Sequence, residues 1–74
     1  MERYKGLSGL SYRQIADRAG VNHAYVFRAV NMPHTVSKKI MISVANIIGC
    51  PEDQAIEIWK ESKIENIKKI IERQ

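Results

Sequence analysis

Ser11-Tyr12-Arg13-Gln14-Ile15-Ala16-Asp17-Arg18-Ala19-Gly20-Val21-Asn22-His23-Ala24-Tyr25-Val26-Phe27-Arg28-Ala29-Val30 decides the fold. It divides into two short helices about a turn at Gly20. Ser11 stands ahead of an apolar-periodic run with Gln14 three residues on, a capping box, and Leu10 and Ile15 flank it as a hydrophobic staple. Asn22 repeats the device as the N-cap of the second helix, with Val21 and Val26 as its staple pair. Gly20 suits a left-handed residue at a helix end, a conformation that costs glycine least. Ala16 and Ala19 are small enough for the second helix to cross the first closely, with Ile15, Val21 and Val26 buried between them. Helices are therefore expected over residues 12–19 and 23–30.

The outward faces of this pair carry the candidate chemistry. Tyr12 and Arg13 begin the first helix, where free N–H groups and the helix dipole attract an anion such as a phosphate. Arg18, further along, reads equally well as a solvated surface residue. With Val26 and Ala29 turned inward, the second helix presents Asn22, His23, Ala24, Phe27 and Arg28. An α-helix fits the major groove of B-DNA, where Arg pairs with guanine, Asn and His reach base edges, and apolar groups meet thymine methyls. Tyr25 borders the core and is expected to pack there with its hydroxyl near a phosphate. Phe27 has an alternative: burial against the following loop or against a neighbouring chain.

Upstream, residues 1–9 hold Gly6, Ser8 and Gly9. They are expected to form at most one turn in which Arg3, Tyr4 and Leu7 pack on the core. Otherwise they form a frayed arm, or a basic arm that follows a DNA groove through Arg3 and Lys5. Downstream, Asn31-Met32-Pro33-His34-Thr35 reads as a loop because Pro33 ends helical continuity. Ser37 then caps a third helix whose apolar face is Ile40, Met41, Val44, Ile47 and Ile48, terminated by Gly49. Lys38 and Lys39 in its first turn oppose the dipole, which is better explained if they face phosphates.

A fourth helix starts at Cys50-Pro51-Glu52-Asp53, with proline and two acids where the dipole favours them. It continues to about Arg73. Ala55, Ile56, Ile58 and Trp59 are expected to close the core, and Cys50 to be a semi-buried cap. Beyond them Ile64, Ile67, Ile70 and Ile71 form a second stripe among Lys and Glu. Exposed apolar surface of this extent is an aggregation liability. The stripe is expected to mediate self-association, or else to fold back over the core.

Seventy-four residues suffice for one small domain, expected to span residues 1–74 with a core at about 7–59 and an extension at about 60–74. The net charge of +4 is unevenly spread. Residues 1–49 carry seven Lys/Arg against Glu2 and Asp17, whereas residues 50–74 carry five against six acids. The basic half contains the capped helix pair, as contact with a polyanion requires. One cysteine excludes an intrachain disulfide and fits a reducing compartment. With neither a membrane-length apolar run nor a signal-peptide pattern, the chain is expected to be soluble and cytoplasmic.

Ile15-Ala16-x-x-Ala19-Gly20-Val21-Asn22, followed by Val26-x-Arg28, resembles the helix-turn-helix of lambda-repressor and Cro-type DNA-binding domains. With Asn31-x-Pro33-x-x-Val36-Ser37 and then Val44, Ile47 and Gly49, it is also similar to the headpiece of lactose-repressor-family proteins. The likeness covers roughly residues 7–59. It implies an all-α bundle of four to five helices with a central helix-turn-helix and a long C-terminal helix. Carried over by position, His23, Ala24 and Arg28 would read bases while Asn31 and Thr35 lie near phosphates. Full repressors of this kind carry a longer first helix and, in the lactose-repressor family, an effector domain. Neither is expected here, and no small-molecule effector is evident.

Nothing points to catalysis. Walker, dinucleotide-glycine and HExxH patterns are missing, His23 and His34 have no metal-ligand companions, and no cofactor is expected. Together the residues and that resemblance predict a small dimeric transcription regulator of repressor type that reads double-stranded DNA. Two other roles remain open: an accessory DNA-binding factor of a mobile element or toxin-antitoxin system, and a protein-interaction module that keeps the fold without binding DNA.

Overall fold

Both capping devices close as the local sequence dictates. In the computed structural model, which describes residues 1–73, the Ser11 hydroxyl accepts from Gln14 N–H at 3.1 Å and the Gln14 side chain accepts from Ser11 N–H at 2.9 Å. This starts α2 (Tyr12–Ala19), and Gly20 at φ 69° ends it. Asn22 Oδ1 accepts from Ala24 N–H at 2.9 Å and starts α3 (His23–Asn31). Before this pair lies α1 (Glu2–Ser8); after it come a 3₁₀ turn (Pro33–Thr35), α4 (Lys38–Ile48) and α5 (Glu52–Glu72). The protein is an all-α bundle of five helices, with no strand among the described residues.

The core is small and built for close approach. Ile15, Val26, Met41 and Val44 are its largest fully enclosed side chains. Ala16, Ala29, Ala45 and Ala55, one from each of α2, α3, α4 and α5, are buried beside them. Alanine at these positions lets four helix backbones converge on a core only a few side chains thick. Val30, Val36, Ile48 and Cys50 complete the buried hydrophobic core, and Pro33 of the 3₁₀ turn is buried as well. Val21 is only partly buried, against the expectation that it would be enclosed, and it packs on the rim of the cluster with Ile40, Ile47 and Ile58.

The N-terminal segment differs from its sequence reading. It is a helix of seven residues instead of an arm, ended by left-handed Gly9. Tyr4 packs against the core and its hydroxyl donates to Gln54 Oε1 at 2.7 Å, a contact 50 residues away that holds α1 to α5. Leu7, expected to pack inward, is 76% exposed because Tyr4 and Met1 take the face turned to the core.

Helix α5 braces the connection that follows α3. Trp59 Nε1–H donates to Val36 O at 2.8 Å, and His34 N–H donates to Ser62 Oγ at 3.2 Å. Thus α5 fixes the 3₁₀ turn, and with it the end of α3. Beyond Ser62 the helix runs on without bending back, and Ile64, Ile67, Ile70 and Ile71 are each more than half exposed. The fold-back reading is therefore corrected. The packed residues Ala55, Trp59, Ser62 and Asn66 recur at spacings of four and three; Ile64, Ile67 and Ile71 turn away from that face of α5, and Ile70 lies to one side between the two. No described helix is long and apolar enough to cross a membrane.

Candidate nucleic-acid interface

Helix α3 packs on both α2 and α4 through Val26, Ala29 and Val30, residues at the i, i+3, i+4 spacing of one helix face. The remainder of its surface is open. Asn22, His23, Ala24, Phe27 and Arg28 are all exposed, as the sequence predicts from the inward set. Tyr25 is a correction. It is 42% exposed and does not join the core, because it precedes Val26 by one position and so points about a quarter-turn away from the buried face.

Several of these side chains are organised around Tyr12. Phe27 stands edge-on to the Tyr12 ring, with centroids 5.6 Å apart and planes at 71°, a favourable aromatic geometry. Asn31 Nδ2 donates to Tyr12 Oη at 3.2 Å and to Phe27 O at 3.0 Å. The Lys5 ammonium lies 4.4 Å from the Tyr12 ring centroid, a cation–π contact. Residues of α1, α2 and α3 thus meet at one aromatic ring, and Phe27 remains 46% exposed on that platform. The sequence named Lys5 only as part of a basic arm. Its position beside Tyr12 depends on the unforeseen α1 helix.

Hydrogen bonding decides which polar atoms remain available. Asn22 Oδ1 is engaged in the cap, leaving its amide N–H groups as the free donors. Asn31 commits its amide to Tyr12 and Phe27, leaving Oδ1. Thr35 donates its hydroxyl proton to Met32 O at 2.7 Å, so in this conformation it has no hydroxyl donor left for a phosphate; it shapes the turn. Arg13 on α2 and Lys38 and Lys39 at the head of α4 are exposed cations. Ser37 Oγ accepts from Ile40 N–H at 3.3 Å, which fixes the α4 start that carries both lysines.

A polar notch of about 140 Å³ adjoins the end of α3 on its α5 side, lined by Asn31, His34, Ser62, Glu65, Asn66 and Lys69. It is smaller than the roughly 300–1,000 Å³ of typical small-molecule pockets. No group of three or more His, Cys, Asp or Glu among the described residues is placed to hold a metal ion. Comparison with protein families, curated proteins and solved structures gives no match to this chain. Its chemistry is therefore read from its own side chains.

Proposed function

We propose that the protein is a small, sequence-specific double-stranded DNA-binding regulator of helix-turn-helix type, acting as a homodimer and most simply as an intracellular repressor. The observation that carries this reading is the open face of α3. Asn22, His23, Ala24, Phe27 and Arg28 are exposed together on a short helix that α2 and α4, among its neighbours, hold from behind. In this reading α3 enters the major groove and offers its first turn and the next exposed turn to base edges. Arg13, Lys38, Lys39 and the Tyr12 hydroxyl bind the phosphates alongside, giving affinity without discrimination. The cap-engaged Asn22 still offers an amide donor. Tyr25, exposed on the same helix, is a further phosphate contact, and Asn31 holds Tyr12 in place.

Titration of Arg28→Ala against a selected duplex and against random duplex tests this. Loss of roughly 1–3 kcal/mol on the selected duplex alone, with relaxed preference at one base pair, is expected of a base reader. An equal loss on both would make Arg28 a phosphate clamp. Failure of the unaltered protein to bind either duplex in dilute salt would overturn the proposal.

A second reading has one observation in its favour. Phe27, Tyr25 and Met32 are exposed apolar or aromatic residues on or just after α3, which suits a protein-interaction module. Such a module would show little duplex binding at any salt concentration. An accessory DNA-binding role in a mobile element or toxin-antitoxin system uses the same surface and differs only in the site bound.

A further inference from the structure

We propose that α5 pairs with α5 of a second copy in antiparallel register, with Ile64 opposite the partner's Ile67. The occupant follows from the charges that flank the stripe. Lys60, Ile64, Ile67 and Ile71 repeat at spacings of four, three and four, the seam of a two-helix coil. Their side of α5 faces away from the core, and all four are exposed. Glu61 and Lys68 border the seam on one side, and Lys63 and Ile70 border it on the other.

A parallel pair would set Lys60 against the partner's Lys60 and Lys63 against the partner's Lys68, so like charges would meet at the seam and on both flanks. The antiparallel register removes every one of these clashes. Glu61 meets the partner's Lys68 twice, by symmetry, and the Lys60 stem lies over the partner's Ile71 with its ammonium in water. The same register explains Ile70, which is 52% exposed yet off the main seam. It faces the aliphatic stem of the partner's Lys63. Sliding by one heptad would oppose Lys68 to the partner's Lys68, so the charges select one register as well as one direction.

This inference specifies the dimer in the DNA-binding reading. The pair's symmetry axis falls between residues 65 and 66, about ten residues from Ala55 in the core. At 1.5 Å per residue the two globular ends would stand on the order of 30 Å apart along α5. That is comparable with the ~34 Å between successive major grooves on one face of a duplex.

Sedimentation of the full chain without DNA tests the pairing independently of duplex binding. The unaltered protein is expected to dimerise, and Glu61→Lys and Lys68→Glu are each expected to weaken the dimer about ten-fold. An equimolar mixture of the two variants should regain affinity as a heterodimer, since each Lys then meets a Glu. A monomer at all concentrations, unchanged affinity in both variants, or tighter pairing of Lys68→Glu (the outcome for a parallel pair) would overturn it. Circular dichroism of each variant confirms that the helices persist. Because this measurement contains no DNA, its failure leaves the duplex titration to stand or fall alone.

Discussion

Tyr12 joins three helices through one side chain, and its parts can be separated. Tyr12→Phe removes the hydroxyl that accepts from Asn31 but keeps the ring beside Phe27 and Lys5. The exposed bond is replaceable by water, so the expected cost is at most about 1 kcal/mol. Tyr12→Ala also loses both ring contacts and should cost more; urea denaturation of the two variants measures the difference. Cys50 is a different kind of residue, enclosed at 3% exposure with its thiol 3.6 Å from Pro51 O. Burial pushes the thiol above its ordinary 9.0, against a smaller opposing pull from the N-terminal ammonium. The unfolded thiol therefore ionises first, and the unfolded state then binds fewer protons than the folded one. Stability from this group is intact below pH 9 and falls as pH rises through the ordinary thiol range. Urea midpoints at pH 7 and pH 9.5 should show this fall, and Cys50→Ala should remove that part of it.

Among the elements, those whose boundaries rest on local chemistry were legible from the chain. Ser11, Asn22 and Ser37 are side-chain caps where the sequence places them, and Gly20 and Gly49 end α2 and α4 in the left-handed region. Helix α1 was not legible, because Gly6 and Gly9 argue against a helix and the contact from Tyr4 that holds it lies on α5. The Tyr12 platform was hidden for the same reason: an aromatic spacing along the chain does not reveal which rings meet. Asn22 belongs at this scale because it both starts α3 and heads the proposed reading face. Asn22→Ser keeps an oxygen for the cap but removes the amide donors. Stability should change by only a few tenths of a kcal/mol, while affinity for a selected duplex should drop if the amide touches a base. Unchanged affinity would restrict Asn22 to capping. Asn22→Ala, which loses the cap as well, should cost about 1 kcal/mol in stability.

For the whole molecule, charge and shape divide the chain in the same place. The residues before α5 carry the excess of cations, and α5 carries acids and bases in near balance beside its isoleucines. A polyanion would thus be drawn to one half and a second copy to the other. If Arg13, Lys38 and Lys39 of one protomer each displace a counterion, affinity for random duplex should fall about 40-fold per protomer between 50 and 200 mM salt. Alanine at Lys38 or Lys39 should each flatten the logarithmic slope by about one per protomer bound. Pairing through α5 adds a second prediction, because two protomers on one duplex double the number of phosphates engaged. Ile64→Asp puts a charge into the seam but lies on the exposed side of α5, so the fold should survive while the slope drops by about half. A slope unaffected by Ile64→Asp, in a variant shown by sedimentation to be monomeric, would mean that single protomers bind DNA and that pairing serves another purpose. A slope near zero in the unaltered protein would instead remove DNA as the ligand and leave the exposed Phe27 face to a protein.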